Sequence, residues 1–164
     1  MSEWTGQEIS TATDELELAA ATILGRILFE FGHLEMELAL FLVWADNGSN
    51  LETLTDAVRE DALHAKLCKL EKRVNATYGS SPSALAEFKR WLEEAHAARA
   101  QRNEFIHGRW GVAAVNRQVV NVIGIPTSPE QREIRYSIAQ LEESLVKLKA
   151  LRPQLRRIRS KWPL

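Results

Sequence analysis

SPSALAEFKRWLEEAHAARAQRNEFIHG, residues 81–108, runs directly into RWGVAAVNRQVVNVIGI, residues 109–125, and the hydrophobic period changes at the junction. In the first stretch Leu85, Phe88, Leu92 and Ala95 recur every three or four residues, the spacing that lines one face of a helix. Ser81 and Pro82 open it as N-cap and first helical residue, and Gly108 stands where a helix-ending glycine is expected. In the second stretch RWGVAAV and QVVNVIGI are rich in valine and isoleucine and parted by an Asn116-Arg117 turn, so they read as two strands. Pro126 to Pro129 reads as a loop, and REIRYS, residues 132–137, as a third short strand. Ser137 and Gln140 have capping-box spacing, so a last helix is expected from Ile138, with Pro153 kinking or restarting it.

Upstream, a first helix is expected from Asp14, with Thr13 as N-cap, to about Ala45. Its apolar series is Leu24, Leu28, Phe31, Leu38 and Leu42, supported by Ile23, Ile27, Leu34 and Phe41. Asp46-Asn47-Gly48-Ser49-Asn50 is a stop and turn signal. Two shorter helices follow, about 51–58 and 61–77, ending before Gly79. The expected fold is mainly α, one domain over 1–164: a bundle of four to five helices with a small β-ribbon, about 109–136, inserted before a basic C-terminal helix, about 138–161. Trp44 and Trp91 are placed on inward faces.

With 45% hydrophobic and 26% charged residues, the 164-residue chain is long enough to bury a core without metal or disulfide. Cys68 has no second cysteine to pair with, which favours a reducing compartment. The acidic start MSEWTGQEIS lacks the layout of a secretion signal, and stretches such as ALFLVWA are too short to span a bilayer. A cytoplasmic protein with no membrane partner is expected. The near-neutral net charge of −1 conceals an acidic beginning and a basic end, Lys147, Lys149, Arg152, Arg156, Arg157, Arg159 and Lys161. Such an end can attract polyphosphate, but a solvated helix face with cations at the C-terminal pole of the macrodipole explains it more simply.

Several charges interrupt apolar stripes. Glu35 occupies a slot in the series 24, 28, 31, 35, 38, 42, and Arg99 and Arg102 occupy slots in the series 85, 88, 92, 95, 99, 102, 106. Charges in such positions are costly unless paired or wet, so Glu35 is expected to face Arg102 or Arg99. Asn103 and His107 lie one helical turn apart on one face. Arg102 and His107 point roughly 140° apart, separated by about 7.5 Å of rise, so they converge most easily if a second subunit completes the site.

The segment RNEFIHG, with Arg102, Asn103 and His107 spaced R-N-x-x-x-H, resembles the HEPN superfamily. The placement is similar too: a long first helix bearing an acidic residue, a later helix ending in the motif, and a closing helix. The resemblance implies a four- or five-helix bundle that dimerises and brings two motifs together. Many active members of that family are metal-independent endoribonucleases, some of them toxins or defence components controlled by an antitoxin or other protein regulator. By resemblance His107 is the acid–base group, Arg102 the phosphate clamp and Asn103 a polar orienter. Histidine suits proton transfer near neutral pH, and arginine offers paired N–H donors to a phosphorane. Arg99 and Arg109 are candidates for flanking phosphates, and Trp110 for base stacking. No cofactor or metal is implied. Some toxin members carry a modifiable tyrosine two residues after the histidine, and here that position is Arg109.

Two further readings stand beside this one. In the first the motif is internal glue in a non-catalytic interaction protein: His107 caps its helix, Arg102 neutralises Glu35, and Asn103 ties down the next turn. In the second the basic C-terminal helix binds nucleic acid without cleaving it. His64 with Cys68, and His33 with Glu37, share helix faces, but two ligands do not make a metal site. His96 reads as an exposed helix residue beside Glu93. No nucleophile elbow and no phosphate-binding glycine loop is present.

Overall fold

In the computed structural model, which describes residues 4–164, the first helix starts earlier than its apolar stripe suggests. Thr5 and Glu8 form a reciprocal capping box. The Glu8 N–H donates to Thr5 Oγ1 at 3.2 Å, and the Glu8 carboxylate accepts from the Thr5 N–H and hydroxyl at 2.8 and 2.7 Å. Helix α1 therefore spans Gly6–Val43. Thr13, expected as its N-cap, lies inside it and donates its hydroxyl to Ile9 O.

Asp46, Asn47 and Gly48 then take φ of 58°, 53° and 78°. Three successive left-handed residues end the helix and are tolerated because Asp, Asn and Gly bear that conformation best. Helices α2 (Leu51–Val58), α3 (Leu63–Tyr78) and α4 (Pro82–His107) follow. Strands β1 (Arg109–Ala113), β2 (Gln118–Ile123) and β3 (Arg132–Tyr136) form an antiparallel meander in the order β1-β2-β3. Helix α5 spans Ile138–Lys161. Its capping box is present: the Ser137 N–H donates to Gln140 Oε1 at 2.8 Å, and the Gln140 N–H to Ser137 Oγ at 3.2 Å. Pro153 neither ends nor restarts α5. The fold is thus a mainly α bundle with a small sheet before the last helix, as expected.

The chain divides into two compact units, Met1–Leu28 with Gln101–Lys147, and Phe29–Ala100 with Leu148–Leu164. The first holds the start of α1, the last turns of α4, the sheet and the start of α5. Its buried residues include Ile23, Ile27, Phe105, Val119, Leu141 and Leu145. The second holds α2, α3 and the remainder of α1, α4 and α5, around Leu34, Leu38, Leu67, Leu70, Phe88, Trp91 and Leu155. Trp91 is 2% exposed and donates Nε1–H to Leu151 O at 2.8 Å. Trp44, expected inward, is half exposed. The turn at 46–48 carries its ring over Gly48, where a Cβ would lie 2.9 Å from it.

The buried stripe of α1 is Ala20, Ile23, Ile27, Phe31, Leu34, Leu38 and Phe41. It is rotated by about one residue from the expected series, so Leu28 is exposed and Glu35 falls at the stripe's edge. The partner of Glu35 is accordingly Lys66 of α3, with Nζ 2.9 Å from Oε1, rather than an arginine. Lys66 is buried and also donates to Asp61 O, which offsets the cost of withdrawing an ammonium from water.

Part of the basic end of α5 is paired with glutamates. Arg156 binds Glu37 through two N–H groups at 2.6 and 2.7 Å, Arg152 adds a bond to Glu37 at 3.0 Å, and Lys161 pairs with Glu87. Arg159 lies over the Phe41 ring. For Glu37, burial pushes the carboxyl pKa up, but hydrogen bonds and charge from Arg156 and Arg152 outweigh it, and the net shift is downward. A carboxyl with a lowered folded pKa adds stability that is present above its unfolded pKa, about 4.3, and lost as pH falls through the folded value. Glu37→Gln is therefore expected to cost roughly 1–2 kcal/mol at pH 7. The difference from wild type should narrow in urea melts taken at pH 3. An equal difference at both pH values would refute the assignment.

Candidate active site

The motif occupies the last two turns of α4. Phe105 is buried, and on a helix of 100° per residue Asn103 and His107 both lie about 160° from it. The face that carries them therefore points away from the core. His107 is exposed and Asn103 half-buried, and among the described residues the His107 ring accepts or donates no hydrogen bond. Arg102 is half-buried and, among the described residues, reaches only the neighbouring Asn103 Oδ1, at 3.4 Å. Ile106, next to His107, is an exposed apolar side chain.

The opposite side of the same turns is tied to the sheet. Each strand sends one side chain to Glu104 or Phe105. From β1, Trp110 Nε1–H donates to Phe105 O at 2.8 Å. From β2, Asn121 Nδ2–H donates to Glu104 O at 3.1 Å. From β3, Arg132 pairs with the Glu104 carboxylate. The last carbonyls of a helix lack intrahelical donors, and Trp110 supplies one to Phe105 O, whereas Glu104 O accepts from Asn121 in addition to the Gly108 N–H at 3.0 Å. Trp110 and Asn121 are directly paired across β1 and β2 and so share a face of the sheet. Phe105 sits edge-on to Trp110 and Tyr136, with ring centroids 5.4 and 5.7 Å away. Burial, and then the Glu104 charge, push the Tyr136 hydroxyl pKa up, against a smaller opposing effect of Arg132.

Of the candidates for substrate contact, Arg109 is exposed and donates to Gly124 O at 3.1 Å. Trp110 is half-buried. Its ring packs in the Phe105–Tyr136 cluster and also lines a groove of about 340 Å³ with Glu17, Leu24 and Val119. Arg99 is half-buried on α4, and its Nε has no hydrogen-bond partner among the described residues. His96 is half-buried against the His64 ring, at 5.6 Å between centroids, rather than exposed. Its pKa is lowered first by burial and then by the charges of Arg99 and His64, with Glu71 opposing. His64 Nε2 lies 3.7 Å from Cys68 Sγ. His33 approaches Glu30, at 3.8 Å, while Glu37 is taken by the arginines. Among the described residues no group of three or more His, Cys, Asp or Glu side chains is placed to hold a metal ion, and no helix is long and apolar enough to cross a membrane.

Sequence reading missed Asn121 and Lys66. Asn121 is detectable as a polar residue on the inward-facing alternation of QVVNVI, where valine or isoleucine is the usual occupant. Lys66 leaves no comparable signal, because lysines recur along α3. Comparisons with models of known families, with curated proteins and with solved structures found no match.

Proposed function

We propose that this chain is a HEPN-like, metal-independent endoribonuclease acting as a homodimer on single-stranded or looped RNA. The observation that carries the reading is the state of His107: exposed, without a hydrogen bond among the described residues, and on the same face as Asn103. Internal glue requires the reverse, a buried and hydrogen-bonded His107 with Arg102 neutralising Glu35, yet Glu35 is held by Lys66. Nucleic-acid binding through the C-terminal helix is weakened because Arg152, Arg156 and Lys161 are engaged by glutamates.

The reaction these residues suit is transesterification. The ribose 2′-oxygen attacks phosphorus, its proton passes to a neutral imidazole, and the P–O5′ bond breaks as an imidazolium protonates the leaving oxygen. The products are a 2′,3′-cyclic phosphate and a 5′-hydroxyl. One histidine can serve both steps in turn, and two are available if a second copy presents its own His107. Arg102 holds the developing phosphorane charge through N–H donors. Ile106 beside the histidine supplies exposed apolar surface for such a copy. A regulatory protein would act most directly by covering His107.

The test is incubation of a mixed single-stranded RNA pool with the protein in EDTA, with the product ends identified. Cyclic phosphate and 5′-hydroxyl ends are expected. Intact RNA after incubation with folded, dimeric protein would replace this reading with that of a non-catalytic interaction protein.

A further inference from the structure

Gly108 follows His107 at the end of α4, but its φ lies outside the left-handed region, so the usual reason for a helix-ending glycine does not apply. The structure offers another reason. A Cβ at position 108 would lie 1.6 Å from Asn121 Oδ1, 2.4 Å from Cγ and 2.6 Å from Nδ2. The Asn121 amide fills the space a side chain would take. Asn121 is fully buried, and among the described residues its Oδ1 has no hydrogen-bond donor. An orphaned acceptor is costly in a core. An apolar β-branched residue beside Val119 would avoid that cost and suit a strand better. What such a residue lacks is the Nδ2–H bond to Glu104 O, 3.1 Å, and the flat amide that fits under Gly108.

We infer that Asn121 is a positioning residue. Its buried amide, admitted only by glycine at 108, fixes the end of α4 and so sets the direction in which His107 projects. The amide bonds the backbone at Glu104, one turn before the histidine, and packs against Gly108, one residue after it. Trp110, its cross-strand partner, holds Phe105 O in parallel, so the helix end is attached to adjacent strands of one sheet. The catalytic consequence rests on the ribonuclease reading, but the positional claim does not.

The positional claim is tested by nuclear magnetic resonance. The His107 ring signal is assigned by its loss in His107→Gln. In Asn121→Ala it should move and broaden at fixed pH, while ring signals of the other histidines stay in place. In the wild type the Asn121 side-chain amide protons should show a cross-peak to the Gly108 Hα protons and exchange slowly with solvent. That measurement needs no variant, so the claim stays testable if a substitution prevents folding. Gly108→Ala should lower the melting temperature, and Asn121→Ser in the same chain should recover part of the loss by vacating the space. If the wild type cleaves RNA, Asn121→Ala should lower kcat by tenfold or more with KM changed less than twofold.

A missing cross-peak, or an unmoved His107 signal in folded Asn121→Ala, would overturn the inference. Movement of that signal in a protein that cleaves no RNA would uphold the positional claim and remove the ribonuclease reading alone.

Discussion

His107→Ala is expected to lower metal-free RNA cleavage by about 10²–10⁴-fold, the usual contribution of a positioned acid–base group. The variant should remain folded, because the side chain is exposed and makes no hydrogen bond among the described residues. Thermal melts and cleavage assays on the same preparation therefore separate chemistry from folding. Parallel losses in both would point to the glue reading. Arg102→Lys is a companion test. It keeps the positive charge but removes the planar fork of donors, so cleavage should fall while weak, salt-sensitive RNA binding persists.

The largest effect on stability is expected at Trp91. Truncation to alanine removes a fully enclosed ring from the unit formed by α2, α3 and the greater parts of α4 and α5, and deletes the donor to Leu151 O. Truncation of a large buried aromatic costs about 3–5 kcal/mol, a major fraction of the stability of a domain this size, roughly 5–15 kcal/mol. Trp91→Phe separates the two contributions, since it keeps most of the volume and loses only the N–H donor, and its cost should be clearly smaller. Urea melts of the three proteins give the comparison. A loss below 1 kcal/mol for Trp91→Ala would mean that the cavity collapses far more readily than a packed core allows.

The helices, strands and sheet were legible because each rests on local chemistry. The change of period at residues 108–109, the Ser81-Pro82 start and the Ser137–Gln140 cap are read within a few residues, and the structure has α4 from Pro82 and α5 from Ile138. Even the missed start of α1 was locally coded, in the Thr5–Glu8 cap. The rotation of α1 about its own axis was not. Its residues 20–42 carry apolar side chains on more than one face, and only contact with neighbouring elements selects Ile27 for burial and leaves Leu28 exposed. Once that face is chosen, Glu35 meets Lys66 and Glu37 meets Arg152 and Arg156, pairings between residues 31 to 119 positions apart.

The candidate site divides in the same way. Spacing alone set Asn103 and His107 on one face of α4, because helix geometry requires it. That this face is the one turned from the core follows from the burial of Phe105 between Trp110 and Tyr136. The need for glycine at 108 likewise comes from Asn121, thirteen residues onward on β2. Local sequence determined which elements form and where the motif falls on them. Tertiary packing decided which faces close, because a partner's shape and charge are absent from the stretch of chain that must meet them.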